Sequence, residues 1–209
     1  MMLNVGLTGG IATGKSTVAR ILVEKGARLI DFDELSHAVE EPEGPVWKEI
    51  VRYFGEEILQ ADRTIDRRKL GDIVFADREK LDLLNRLVHP AVFQEWHRRI
   101  EEIRTAQPDA IVLSDVPLLI EADMKPMFDL ILLVYVPPEE QIARLMARNG
   151  CSRGEAEKRI ASQMPIGEKL PFADIVVRND GSPEMTRKAL NATWMELIER
   201  ERLREEETA

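Results

Sequence analysis

One cysteine, Cys151, three histidines and no apolar run longer than Leu130–Val136 are the shortages that first narrow this 209-residue chain. A lone cysteine cannot close an internal disulfide, so no disulfide scaffold holds the fold. A seven-residue apolar run falls far below the ~20 residues that span a bilayer. The histidines, His37, His89 and His97, show no metal-ligand spacing. The first residues, Met1–Leu7, run directly into a glycine-rich stretch without a basic and then apolar leader, so a cytoplasmic protein with no membrane partner is expected. Glycine and proline, 12 and 11 residues, are at ordinary globular levels, and neither repeats nor low-complexity linkers appear. The net charge of −9 argues against broad electrostatic attraction to nucleic acid. No feature calls for an obligate protein partner, and the length predicts a single domain over 1–209.

What is present alternates between two periods. Leu3, Val5 and Leu7 open a strand that ends at Gly9 and Gly10, and Val18, Ile21 and Leu22 then fall at helical spacing up to Gly26. Further strands are predicted at Arg28–Ile30, Ala110–Leu113, Leu130–Val136 and Asp174–Val177, separated by helical segments. That alternation predicts an α/β fold with a parallel sheet covered on both faces. Residues 34–107 break the rhythm, because a whole strand–helix–strand unit takes only roughly 30 residues. They read as a helical insertion. Trp47, Ile50, Val51 and Phe54 form one face after Pro45, and Leu70, Ile73 and Val74 form a second. Leu81, Leu84 and Val88 follow the N-cap candidate Asp77, and Phe93, Trp96, Ile100 and Ile103 form a separate face after Pro90. Another helix starts at Pro138, a capping box at Ser152–Glu155 starts the next, and a C-terminal helix over 182–209 fades into a solvated, frayed end at Glu205–Glu207.

Gly9-Gly10-Ile11-Ala12-Thr13-Gly14-Lys15-Ser16 matches G-x-x-x-x-G-K-[ST], the P-loop that wraps nucleotide phosphates in backbone N–H groups. Glycine permits close approach, and the helix that follows points its positive end at the anion. Lys15 is placed to hold the β and γ phosphates, and Ser16 to offer its hydroxyl to Mg²⁺. The context, after an apolar strand and before an amphipathic helix, is the one this mechanism needs. No N-K-x-D guanine-reading segment and no second nucleotide motif occur. A small-molecule kinase that uses ATP and Mg²⁺ is the expectation, with a nucleotide-binding regulatory module as the rival of another class.

A kinase needs a group to accept the proton of the attacking hydroxyl, and in an open parallel sheet such groups lie past the C-terminal ends of strands. Asp33, just past the second predicted strand, is the candidate base. Its alternative or additional role is to cap a helix over Glu34–Val39, and Asp31 is a weaker candidate. Asp115 follows Ile111–Leu113, where a carboxylate would assist Mg²⁺, but it reads equally as a loop acid. Gln141, Arg144 and Arg148 share one helical face, and Arg153, Lys158, Arg159 and Lys169 keep the region basic, so residues 138–170 read as a lid carrying cations to the phosphates. His89 before Pro90 reads on its own as a structural residue at a turn, and Cys151 as incidental.

Gly6-Leu7-Thr8-Gly9-Gly10-Ile11 leading into Gly14-Lys15-Ser16 resembles the opening of dephospho-CoA kinases. Leu87-Val88-His89-Pro90, Val116-Pro117-Leu118-Leu119-Ile120-Glu121, Gln141-x-x-Arg144 with Arg148, Gln163-Met164, Ala173-Asp174 and Asn179-x-Gly181 resemble later motifs of that family in order. The resemblance spans about residues 3–182. It implies a parallel-sheet P-loop kinase core with a helical acceptor-binding insertion over 34–107 and a helical lid. The implied activity is ATP- and Mg²⁺-dependent phosphorylation of the ribose 3′-hydroxyl of dephospho-CoA, completing coenzyme A; another small P-loop kinase, acting on a nucleotide or a metabolite alcohol, is the alternative. By the same resemblance Asp33 is the base, with Lys15 and Arg144 catalytic beside it. Thr8, His89 and Leu118 lie toward the acceptor, and ATP is bound by Gly9, Gly10, Ala12, Thr13, Gly14, Lys15, Ser16 and Thr17 together with Arg148 and Asn179. Two departures stand out. Ala12-Thr13 replaces a common Gly-Ser, so Ala12 must fit a glycine-tolerant position, and Ile120 replaces a common Phe.

Overall fold

The computed structural model describes residues 2–208, with the side chains of 205–208 outside the description, so the expected solvation of Glu205–Glu207 lies outside it, while their backbone is helical. The chain forms two compact units, residues 1–30 with 103–209, and residues 31–102. In order, the elements are β1 (Leu3–Gly9), α1 (Lys15–Glu24), β2 (Arg28–Asp31), α2 (Phe32–Val39), α3 (Pro45–Phe54), α4 (Arg67–Phe75), α5 (Arg78–Ala106) and β3 (Ile111–Asp115). They continue with β4 (Leu130–Tyr135), α6 (Pro138–Asn149), α7 (Arg153–Ile160), α8 (Ile166–Lys169), β5 (Ile175–Arg178) and α9 (Pro183–Thr208). The predicted α/β fold with a parallel sheet is what forms. No described helix is long and apolar enough to cross a membrane.

The sheet has the order β2-β3-β1-β4-β5. Leu3 sits opposite Ile111 and Leu7 opposite Asp115, while on the other side Gly9 sits opposite Val134, all in parallel register. Every residue of β1 is buried. A strand covered on both faces has no solvent side, which is why β4 reads as a continuous apolar run, while β1 sets Leu3, Val5 and Leu7 between the equally buried Asn4, Gly6 and Thr8. Polar side chains buried in β1 and β3 are hydrogen-bonded: Ser114 Oγ donates to Asn4 Oδ1 at 3.0 Å, and Thr8 Oγ1 to the Pro117 carbonyl at 3.2 Å. Val18, Ile21 and Leu22 of α1 and Leu190 and Leu197 of α9 complete this core.

The second unit departs from expectation at two points. The helices predicted on either side of Pro90 are one, α5, with Pro90 inside it. Proline removes the bond to the Arg86 carbonyl, but both residues sit on an exposed face, and the buried stripe Val88, Val92, Trp96 and Ile100 runs unbroken past it. His89 is therefore a helical residue, its ring edge-on to Phe93, and not a turn residue. The other departure is the cap of α2. Asp31 accepts from the N–H groups of Asp33 at 2.8 Å and Glu34 at 3.3 Å, so Asp31 caps and Asp33 stands in the first turn. Asp77 caps α5 as expected, accepting from Glu79 and Lys80 N–H groups.

On α5, Glu95 accepts from Arg98 at 2.7 Å and from Arg99 at 2.9 Å. The Arg98 hydrogen bond is the chief reason its carboxyl is held down at about 2, below the ordinary 4.5. A depressed carboxylate contributes stability that is present above the unfolded value and lost as the pH falls through the folded one. Glu95→Gln should therefore lower the urea midpoint slightly at pH 7, and the gap to wild type should narrow below pH 4.5 in a series of denaturation curves.

Candidate functional site

The loop Gly9–Ser16 leaves the C-terminal end of β1, the most deeply buried strand, and enters α1 with Gly14 at the N-cap. Gly14 has φ 84°, and a Cβ there would strike the Asn179 amide nitrogen, so this glycine is required on both counts. Ala12 also lies in the left-handed region, at φ 61°, the strained fit that its departure from glycine implied. The N-terminus of α1 has no side-chain cap and no acid in its first turn, which leaves its N–H groups and dipole directed at an incoming anion.

Lys15 is paired with Asp115, the last residue of β3. Asp115 is thus a buried strand residue and not a loop acid. Asn179, just past β5, donates from Nδ2 to the Thr13 carbonyl at 2.8 Å, and its Oδ1 accepts from Thr186 of α9 at 2.9 Å. Its own carbonyl accepts from Arg144 at 2.7 Å. A cavity of about 610 Å³ opens beside the loop and is lined by Ser16, Thr17, Arg20, Arg144, Arg148 and Arg187 among others. Four arginines beside the uncapped N-terminus of α1 form an anion-attracting concavity. Among the described residues no cluster of three or more His, Cys, Asp or Glu forms a metal cage.

Of the sequence-predicted residues, the first unit brings together Gly14, Lys15, Ser16, Thr17, Asp115, Arg144, Arg148 and Asn179 around the loop and its cavity. Thr8 is fully buried in β1, Thr13 is buried within the loop with its hydroxyl on the Gly10 carbonyl at 2.9 Å, and Leu118 is exposed after β3. Asp33 and His89 belong to the second unit, both exposed; His89 shares a concavity of about 460 Å³ with Asp82, Asn85, Arg86 and Pro90. The basic stretch is not uniformly solvated. Arg153 is held by Glu139 and Glu157, and Lys169 is fully buried against Glu121. Arg20, Thr186 and Arg187 were not foreseen. They sit on helices whose amphipathic pattern gives no sign of which polar residue faces a cavity.

The dephospho-CoA kinase family model matches residues 3–184. The chain belongs to the dephospho-CoA kinase family. A dephospho-CoA kinase of Syntrophus aciditrophicus is 57% identical over 208 residues, covering all of this chain and 88% of the relative. Among solved structures, a dephospho-CoA kinase from Campylobacter jejuni is similar at TM-score 0.73 and 26% identity, covering 95% of this chain and 98% of that one. A Thermus thermophilus protein, TT1252, is similar at TM-score 0.78 and 37% identity, covering 93% and 97%. The P-loop, the Arg144 helix and Asn179 all fall within the span matched by the dephospho-CoA kinase model.

Two substitutions probe the loop backbone. Ala12→Gly should relieve left-handed strain and raise stability by up to about 1 kcal/mol, roughly 2–4 °C in the thermal midpoint. Gly14→Ala should do the opposite and weaken nucleotide binding. Scanning calorimetry and titration with ADP on both variants check the pair.

Proposed function

We propose that the protein transfers the γ-phosphate of ATP to the ribose 3′-hydroxyl of dephospho-CoA, giving coenzyme A and ADP. The observation that carries this reading is the P-loop at the end of β1, opening on an arginine-lined cavity in a member of the dephospho-CoA kinase family. The O3′–phosphorus bond forms as the bond from the γ-phosphorus to the β-bridging oxygen breaks, and ADP leaves with that oxygen. Asp33 accepts the hydroxyl proton; its exposed side chain, in the first turn after β2, is free of the cap duty that Asp31 performs.

Gly9, Gly10, Ala12, Thr13, Gly14, Lys15, Ser16 and Thr17, with Arg148 and Asn179, make the ATP site. Lys15 exchanges Asp115 for phosphate oxygens, and Arg144 stabilises charge on the transferring group. The Ser16 hydroxyl and the Asp115 carboxylate, hard oxygen donors beside the loop, suit Mg²⁺, which takes few protein ligands and would offset phosphate charge there. Thr8, His89 and Leu118 serve the acceptor, within a domain whose 34–107 segment is the acceptor-binding insertion and whose 138–170 segment carries the lid.

Asp33→Asn should retain ATP affinity while turnover falls by roughly 10²–10⁴-fold, as loss of a general base predicts. Calorimetry and a coupled ADP-release assay separate the two effects. Dephospho-CoA should exceed AMP and adenosine in kcat/KM, because grip on its distant arm aligns the ribose. If AMP is an equal acceptor, or NMR finds the new phosphate away from the 3′ position, the substrate assignment fails.

A further inference from the structure

Three side chains from the 138–170 segment end on the backbone of the phosphate loop. Gln141 of α6 donates from Nε2 to the Ile11 carbonyl at 2.7 Å, and Gln163, in the turn before α8, accepts from the Ile11 N–H at 3.1 Å. Both polar groups of one loop residue are thereby held by side chains. The third is Lys169 of α8. Its ammonium is fully buried, 2.8 Å from Glu121 Oε1 and 3.4 Å from the Gly9 carbonyl. Glu121 also accepts from the Met164 N–H at 3.1 Å, joining the turn that carries Gln163 to the same pair.

A fully buried ammonium is costly even when its carboxylate partner, here Glu121, reaches solvent, and apolar residues of like size are often as stable in such a place. Gln141 adds to the cost, since its Oε1 is buried with no partner. Gly10 has no room for a Cβ, which would meet the Gln141 amide. Polar groups that cost stability and converge on one backbone stretch are held there by something other than stability.

We propose that Lys169, paired with Glu121 and acting with Gln163 and Gln141, is a positioning brace that fixes the Gly9–Ile11 backbone so that the loop amides behind it meet the nucleotide's polyphosphate. The two ends of the lid segment are then a fixed support for the loop, and only residues between Gln141 and Gln163 are left to move as a lid. This rests on the phosphate-loop reading above.

The test is calorimetric titration of the full chain with inorganic tripolyphosphate and with ADP, alongside thermal unfolding. Lys169→Met leaves Glu121 without its cation and should lower both the thermal midpoint and the affinity. The double change Lys169→Met with Glu121→Gln removes both charges and should recover the midpoint while affinity stays about tenfold below wild type, the scale of one lost charged hydrogen bond. Gln163→Ala, at a partly exposed turn, should weaken binding with little change in stability. If affinity recovers along with the midpoint, Lys169 is a stability residue and the brace is wrong. Should the double variant not fold, unchanged affinity in Gln163→Ala overturns the proposal. A wild-type chain that binds neither probe would instead overturn the phosphate-loop reading itself.

Discussion

A loop that binds an anion through backbone N–H groups must keep those groups turned outward, so it cannot be shaped by its own hydrogen bonds alone. Here the inward-facing backbone is held from elsewhere: Asn179 takes the Thr13 carbonyl, Gln141 and Gln163 take both ends of Ile11, and Lys169 lies against the Gly9 carbonyl. Asn179 is itself fixed by Thr186 and Arg144. Four side chains from outside the loop thus converge on its eight residues.

The sheet serves the same end. β1 lies at its centre with β3 and β4 on either side, so the loop emerges where the neighbouring strands also end. The parallel register that sets Leu7 opposite Asp115 delivers a carboxylate to Lys15 from a strand about a hundred residues away. Burial makes the pairing matter, because an isolated carboxylate at the end of β3 would face a large desolvation cost. The Lys15 ammonium and the Asp115 carboxylate answer each other.

Around this fixed frame the cations differ in role despite similar sequence contexts. Arg153 is spent on surface pairs with Glu139 and Glu157, while Arg144 and Arg148 line the cavity and Lys169 is buried. Surface pairs of the first kind contribute little to stability.

The sequence by itself determined the α/β alternation, the phosphate loop, the Ser152 and Asp77 caps and the strand identities, because these depend on periodicity and on residue types at fixed short spacing. It also led to the family, through motifs spread along the chain. Local propensity alone breaks the helix at Pro90 and offers Asp33 as a cap, whereas in the fold a continuous buried stripe and the neighbouring Asp31 prevail. Only the tertiary structure decided that Asp115 ends β3 and meets Lys15, that Asn179 supports the loop, and that Lys169 is buried while Arg153 is not. These outcomes depend on which chain segments converge in space, and a basic residue in a polar helical stretch looks the same in sequence whether its charge faces water or a backbone carbonyl.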